Sequence, residues 1–271
     1  MHGRVLVIAG SDSGSGAGVQ ADIKTIMALG GYGTTAITAI TAQNTMSIID
    51  VHAVPESVIH NQIQAILHDI GADAIKIGML NNVATIRTVI NAIKEVNDTI
   101  PVILDPIIIS KPGNRLLDKN AVKILQDELI PMADIVTPNI PEIQDLCGFE
   151  VKTLDDMIAG AQIMVDLGAK AALVKGGHGN SRIVHDTYIS KNQIKIYESE
   201  RINSKNTHGT GCTLASAIAT GIAQNMSHDK SIKRARNYVY NAISTAPNFG
   251  KGNGPLNHNA SFEIISEKAT A

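Results

Sequence analysis

The sequence predicts an α/β fold: a doubly wound, mostly parallel central sheet with helices on both faces and a small antiparallel hairpin at one edge. Three observations carry the α/β part. Short runs of continuously apolar, β-branched residues recur along the chain, as expected of strands covered on both faces. Between them, apolar residues fall at helical spacing. The two patterns alternate, which is the order of a sheet built from strand–helix–strand units.

Val5–Ala9 is the first buried strand, followed by Ala36–Ile40, Ala74–Ile77 and Val102–Leu104. Ile135-Val136 and Ala171–Val174 continue the series. The helical stripes are Ile59, Ile63, Ile66, Leu67 and Ile70, then Ile86, Val89, Ile90 and Ile93, then Met157, Ile158, Ala161, Met164 and Val165. Such Ile and Met seams are core, and no chemistry is assigned to them. Ser181–Ile189 and Gln193–Tyr197 flank a Ser190-Lys191-Asn192 turn and predict the edge hairpin. Helices over about 211–225 and 228–246 close the fold. No repeat, low-complexity linker or charge block divides the chain, so residues 1–271 are read as one domain.

Composition narrows the function. Hydrophobic residues make up 44% of the 271 residues, which excludes a disordered protein. The 23 Lys+Arg against 25 Asp+Glu leave a net charge of −2, with no broad attraction for nucleic acid or an anionic membrane. Three Phe, five Tyr and no Trp offer few stacking platforms for single strands. Cys147 and Cys212 are the only cysteines and have no metal-site spacing. The apolar run after Arg4 meets Asp12 too soon for a secretory core of about 7–15 residues. No segment approaches the roughly 20 apolar residues of a membrane span. A cytoplasmic enzyme is expected.

In open α/β sheets ligands collect at the carboxyl ends of strands, so the residues after each strand carry the information. Gly10–Gly18 is a glycine-rich loop entering a helix, where backbone N–H groups favour anions. A plain tight turn explains it as well. A dinucleotide fingerprint does not, because the next strand ends in Thr41-Ala42-Gln43-Asn44 with no acidic residue for a ribose. Asn206–Cys212 runs through Gly209, Thr210 and Gly211 into a small-residue helix, a nest that suits phosphate. Cys212 in its first turn is expected to be stabilised as a thiolate, or else to be a buried structural cysteine; His208 reads as a packed or capping residue. Asp105, with Glu142 of Asn139-Ile140-Pro141-Glu142, could hold Mg²⁺ through its waters; Asn139 and Glu142 equally fit a capping box. Lys175, before Gly176-Gly177-His178-Gly179, can reach a phosphoryl group as a point charge. No Walker A motif occurs.

These pieces, in this order, resemble the hydroxymethylpyrimidine/phosphomethylpyrimidine kinases of the ribokinase-like superfamily. The resemblance spans nearly the whole chain. It runs through Ala9–Ser13, Gly16–Asp22, Ala42–Thr45, Lys76–Leu80, Asp105-Pro106, Thr137–Glu142, Lys175–His178, Lys205–Thr213 and the tail Gly250–His258. It implies phosphorylation of 4-amino-5-hydroxymethyl-2-methylpyrimidine by ATP with Mg²⁺, first at the hydroxyl and then at the monophosphate. It implies Gly209–Cys212 as the anion hole, Cys212 as base for step one and positioning group for step two, and Lys175 as phosphate neutraliser. Gln43 would read the aminopyrimidine edge, Gly10, Ala17, Met79 and Ile107 would line the ring, and Asn139, Lys175, Lys205 and Thr207 would hold the nucleotide. Asp105 and Glu142 would position Mg²⁺, Ser110–Arg115 would form a flap, and the chain would be a homodimer. Asp12, Asp22 and His258 match the pattern and are expected to order loops.

Three other readings are weighed. Relatives that phosphorylate vitamin B6 aldehydes carry a second flap Cys and lack the Gln-Asn pair, whereas this chain has Ser110 and Gln43-Asn44. A dinucleotide-dependent oxidoreductase lacks its acidic residue here. A non-catalytic pyrimidine or nucleotide sensor would differ from an enzyme only in turnover.

Overall fold

The computed structural model describes residues 2–96, 99–109, 117, 119–179 and 181–260. In chain order the elements are β1 (Arg4–Asp12), α1 (Gly18–Ala28), β2 (Tyr32–Gln43), β3 (Ile48–Ala53), α2 (Glu56–Asp69), β4 (Ala74–Ile77), α3 (Val83–Val96) and β5 (Val102–Leu104). They continue with α4 (Lys119–Ile124), β6 (Ile135–Val136), α5 (Ile140–Cys147), α6 (Leu154–Asp166), β7 (Ala171–Lys175), β8 (Ile183–Ser190), β9 (Gln193–Glu200), α7 (Thr210–Ala223) and α8 (His228–Ser244). The expected flap, Ser110–Arg115, lies outside the described residues.

Among the described residues the strands form one sheet in the order β3-β2-β1-β4-β5-β6-β7-β8-β9. Neighbours from β2 through β7 are parallel. The β8–β9 hairpin at one edge is antiparallel, as expected. The other edge differs from expectation: β3 folds back antiparallel on β2. Its sequence, Ile48-Ile49-Asp50-Val51-His52-Ala53, has no period-two alternation because neither face is deeply buried.

Strand alternation assigns each side chain to a layer. Val5, Val7 and Ala9 of β1 pack with α1, α7 and α8, while Leu6 and Ile8 pack with the α2–α6 layer. All five are buried, and covering both faces explains their unbroken apolarity, each large side chain contributing about 1.5–3 kcal/mol. From β1 the chain goes to β2 on one side and later to β4 on the other. That reversal opens a crevice at the carboxyl ends of β1 and β4.

One position breaks the apolar rule. On β4, Ile75 and Ile77 enter the α2–α6 layer, so Lys76 must point at α1 and α7. There its Nζ donates to Asp22 Oδ2 at 2.8 Å, and Ser216 Oγ donates to Asp22 Oδ1 at 2.7 Å. Lys76 and Asp22 are both fully buried. Lys76→Met strands a buried carboxylate and is predicted to destabilise the protein by about 3–5 kcal/mol. Adding Asp22→Leu should recover most of that in urea unfolding; a double variant no more stable than the single would contradict this.

Candidate functional site

The carboxyl ends of β1, β2, β4, β5, β6 and β7 converge on one cleft of about 570 Å³. It brings together every residue expected at the site except Lys205. Gly10, Ala17, Gln43, Met79 and Ile107 line one part, and Asp105, Asn139, Glu142 and Lys175 another, with Thr207 and Gly209–Cys212 beside them. Lys205 is exposed and does not line the cleft.

The first glycine loop is already occupied by its own side chain. Asp12 accepts from the N–H groups of Gly14 at 2.8 Å, Gly16 at 3.1 Å and Ala17 at 2.8 Å, and from His208 Nε2 at 2.9 Å. Burial works against its charge, but the bonds from His208, Ala17 and Gly14 hold the carboxyl below its usual range. Asp12 thus orders the loop and fills the anion position that the glycines suggested.

The second loop is open. Gly209 precedes α7 with φ +83°, and no side chain caps the helix. A Cβ at Gly209 would lie 1.8 Å from Gly16 O, so only glycine lets the two loops touch here. Thr210 N–H bonds Thr207 O at 3.4 Å, and the N–H groups of Gly211 and Cys212 are left for a ligand, where the positive dipole end favours an anion.

The expected Cys212 thiolate is corrected by its surroundings. Burial pushes the thiol up to about 12, and Asp22 and Asp105 push the same way. Lys76 and a Gly18 backbone hydrogen bond oppose this by less. The helix dipole acts on an exposed thiol; here desolvation outweighs it, and Cys212 is a neutral thiol at physiological pH.

Lys175 ends β7 with Nζ 2.7 Å from Asp105 Oδ1, which also accepts from Thr137 Oγ1 at 3.1 Å. Burial opposes the charge of Lys175, but Asp105 and Glu142 hold it above its usual range. A Cβ at Gly211 would lie 3.1 Å from Lys175 Nζ, so the lysine sits at the mouth of α7. Glu142 closes a capping box with Asn139: Asn139 N–H donates to Glu142 Oε2 at 2.8 Å and Glu142 N–H to Asn139 Oδ1 at 2.9 Å. Burial raises the Glu142 carboxyl to about 8, with Lys175 opposing. The capping and metal readings of Asn139 and Glu142 are therefore compatible, since one carboxylate oxygen caps. No group of three or more His, Cys, Asp and Glu forms a cage among the described residues. Asp105 beside the buried Glu142 carboxyl, which a cation would help to ionise, fits a Mg²⁺ held mainly by water and phosphate oxygens.

Across the cleft, Gln43 Nε2 lies 3.2 Å from His208 Nε2 and Gln43 Oε1 lies 3.4 Å from Thr41 Oγ1. The C-terminal tail braces this region. Asn253 N–H donates to Thr45 O, and His208 N–H donates to Gly254 O. Thr213 Oγ1 and His258 Nε2 are 3.1 Å apart, and the Tyr238 hydroxyl donates to His258 O. Sequence reading missed two further features. Ile202, Leu214, Val239, Tyr240 and Ile243 form an apolar arm of the cleft. Arg236 pairs with Asp186, whose Oδ1 accepts from the Gly176 N–H at 2.8 Å. Nothing local marks the arm, because its residues lie on three separate elements.

The sequence profile of the phosphomethylpyrimidine kinase family matches residues 12–257. The hydroxymethylpyrimidine/phosphomethylpyrimidine kinase of Haemophilus influenzae is 39% identical over 259 residues, covering 94% of this chain and 96% of that protein. The thiamine biosynthesis bifunctional protein ThiED of Geobacter sulfurreducens is 42% identical over 267 residues, 98% of this chain; the chain spans about half of that protein, 54%. Among solved structures, the Staphylococcus aureus pyridoxal kinase in complex with ADP superposes with a TM-score of 0.90 at 32% identity, covering 97% of this chain and 96% of that one.

Burial moves His258 down from 6.5 to about 4, with the charge of Lys24 adding to it. The unfolded chain therefore binds the extra proton first, and stability is lost as pH falls through that window. Between pH 7 and pH 4.5 the loss from this group is predicted at roughly 2–3 kcal/mol. Urea midpoints of the protein and of His258→Gln should differ in their pH slope there; parallel slopes would contradict it.

Proposed function

The chain belongs to the phosphomethylpyrimidine kinase family, and on that premise we propose that it is an ATP-dependent kinase acting twice on one pyrimidine. It phosphorylates the hydroxyl of 4-amino-5-hydroxymethyl-2-methylpyrimidine, then phosphorylates the monophosphate to the diphosphate. The observation that carries the reading is the uncapped start of α7, Gly209–Cys212, with Lys175 at its mouth and Gln43 in the same cleft. A phosphoryl group at that helix start meets backbone donors and one ammonium, the fixed dipoles that stabilise charge spreading over its oxygens. The arm of Ile202, Leu214, Val239, Tyr240 and Ile243 offers an apolar surface for the nucleotide base.

Mg²⁺ held by Asp105 and Glu142 would supply neutralisation of phosphate charge. The Lys175–Asp105 bond then loosens as Lys175 shares its donors with a phosphate oxygen. Cys212, being a thiol, acts as a positioning group for the acceptor oxygen in both steps. Phosphoryl transfer through a loose transition state asks little of a base. The pyrimidine reading is favoured over a vitamin B6 aldehyde because Gln43 offers both an acceptor and a donor to an aminopyrimidine edge. The likeness to a pyridoxal kinase keeps pyridoxal as the second candidate substrate. The proposal carries a single domain and a cytoplasmic setting, supported by two free cysteines. Among the described residues no helix is long and apolar enough to cross a membrane.

We also propose a homodimer through the β2–β3 edge, where Ile49 (72% exposed) and Val51 stand on one face of the sheet in water.

A coupled ATP assay with Mg²⁺, with products identified by mass, tests the activity. Diphosphate from the pyrimidine alcohol and from its monophosphate is expected; turnover of pyridoxal alone would overturn it. Cys212→Ala should lower kcat/KM of the first step roughly 10–100-fold and the second step less; full rates in both would remove Cys212 from the mechanism. Ile49→Lys should shift the protein to monomer in sedimentation velocity, and an unchanged dimer would move the interface elsewhere.

A further inference from the structure

We infer that His208 is a positioning residue that sets which end of the Gln43 carboxamide faces which part of the substrate. The inference rests on the pyrimidine-kinase reading and specifies how the ring lies in that site.

The argument is one of donors and acceptors. His208 Nε2 lies 2.9 Å from Asp12 Oδ2, a carboxylate that also accepts from the Gly14, Gly16 and Ala17 N–H groups. A carboxylate only accepts, so Nε2 carries the proton. The ring cannot turn away: a Cβ at Gly16 would lie 2.4 Å from His208 Cδ2, and the His208 backbone is tied to Gly254. Gln43 Nε2 lies 3.2 Å from the same Nε2 and therefore faces a donor. That sets donor against donor; with the amide turned over, its oxygen there can share the single Nε2 hydrogen with Asp12.

Thr41 makes the same demand independently. Its hydroxyl has one hydrogen, for which Ser11 O at 2.9 Å and Gln43 Oε1 at 3.4 Å compete; the shorter bond takes it, so toward the amide Thr41 can only accept. The end it selects is the NH₂. Both neighbours select one orientation, oxygen toward His208 and nitrogen toward Thr41, and the two amide ends have nearly the same shape, so only such neighbours can select it. The exocyclic amino group of the substrate then lies on the His208 side, against the amide oxygen. The adjacent ring nitrogen lies on the Thr41 side, against the remaining amide N–H. A ring without that amino–imine edge gains nothing from the arrangement.

The test is a double-mutant cycle read in KM for the pyrimidine alcohol. His208→Leu should raise that KM roughly 10–100-fold, the range expected for one misdirected buried hydrogen bond. The KM for ATP should hold, and kcat should change only a few-fold. His208→Gln, which keeps a terminal N–H, should restore most of the loss. In a Gln43→Ala background, His208→Leu should add nothing, and with 5-hydroxymethyl-2-methylpyrimidine, which lacks the amino group, its cost should vanish. Thr41→Val, nearly isosteric, should show the same non-additivity and stands in if His208→Leu does not fold. An unchanged KM, or a cost that persists without Gln43, would overturn the inference while leaving the kinase reading intact. No wild-type turnover of the pyrimidine at all would overturn both.

Discussion

A charged pair sits where the sheet meets two helices, and the site is built outward from it. Lys76 on β4, Asp22 on α1 and Ser216 on α7 meet out of water. A hydrophobic contact would tolerate a slide of one helix along the sheet; a buried ion pair with a third partner does not. The pair therefore holds α1 and α7 in one relation to the carboxyl end of β4. Both helices begin at the cleft, so their starts are held along with them.

Three helix starts reach that cleft, and each has unpaired backbone donors that attract negative charge. Two are answered from within the chain. Asp12 turns back into the loop before α1, and Asn139 with Glu142 closes the start of α5. Neither α1 nor α7 has a side-chain cap, but Asp12 already holds the N–H groups leading into α1, whereas no carboxylate caps the start of α7 behind Gly209. A cleft with three open anion sites would hold phosphate in several places, whereas this one offers a single open position, beside Lys175.

The same burial sets the proton chemistry. Around the start of α7 lie Lys76, Asp22, Asp105, Glu142 and Lys175, cations and carboxylates close enough to shift one another. Both ammonium groups stay charged because carboxylates face them. At Cys212 burial outweighs the opposing charge of Lys76, and the thiol stays neutral. The cleft thus carries the positive charge of Lys175 beside the start of α7 and a neutral thiol in the first turn of that helix.

The strands from Val5 to Val174, the edge hairpin, the last two helices and the identity of most cleft residues were legible in the sequence. Each rests on local pattern: unbroken apolar runs for doubly covered strands, glycine-bounded turns at strand ends, and motif order. The β3 edge was not legible, because a strand exposed on both faces has no apolar rhythm to read. Nor was the protonation of Cys212, since spacing places it in a first helical turn but says nothing of the depth of burial that outweighs the dipole there. Lys205 was drawn in by its neighbours in the chain, yet faces solvent. Asp12 and His208, 196 positions apart, carry no sign of each other in the chain, and only the packing of Gly16 against Gly209 brings them within 2.9 Å. Local periodicity and turn chemistry are properties of neighbours along the chain. Charge state, tautomer and the direction of an amide are properties of neighbours in space.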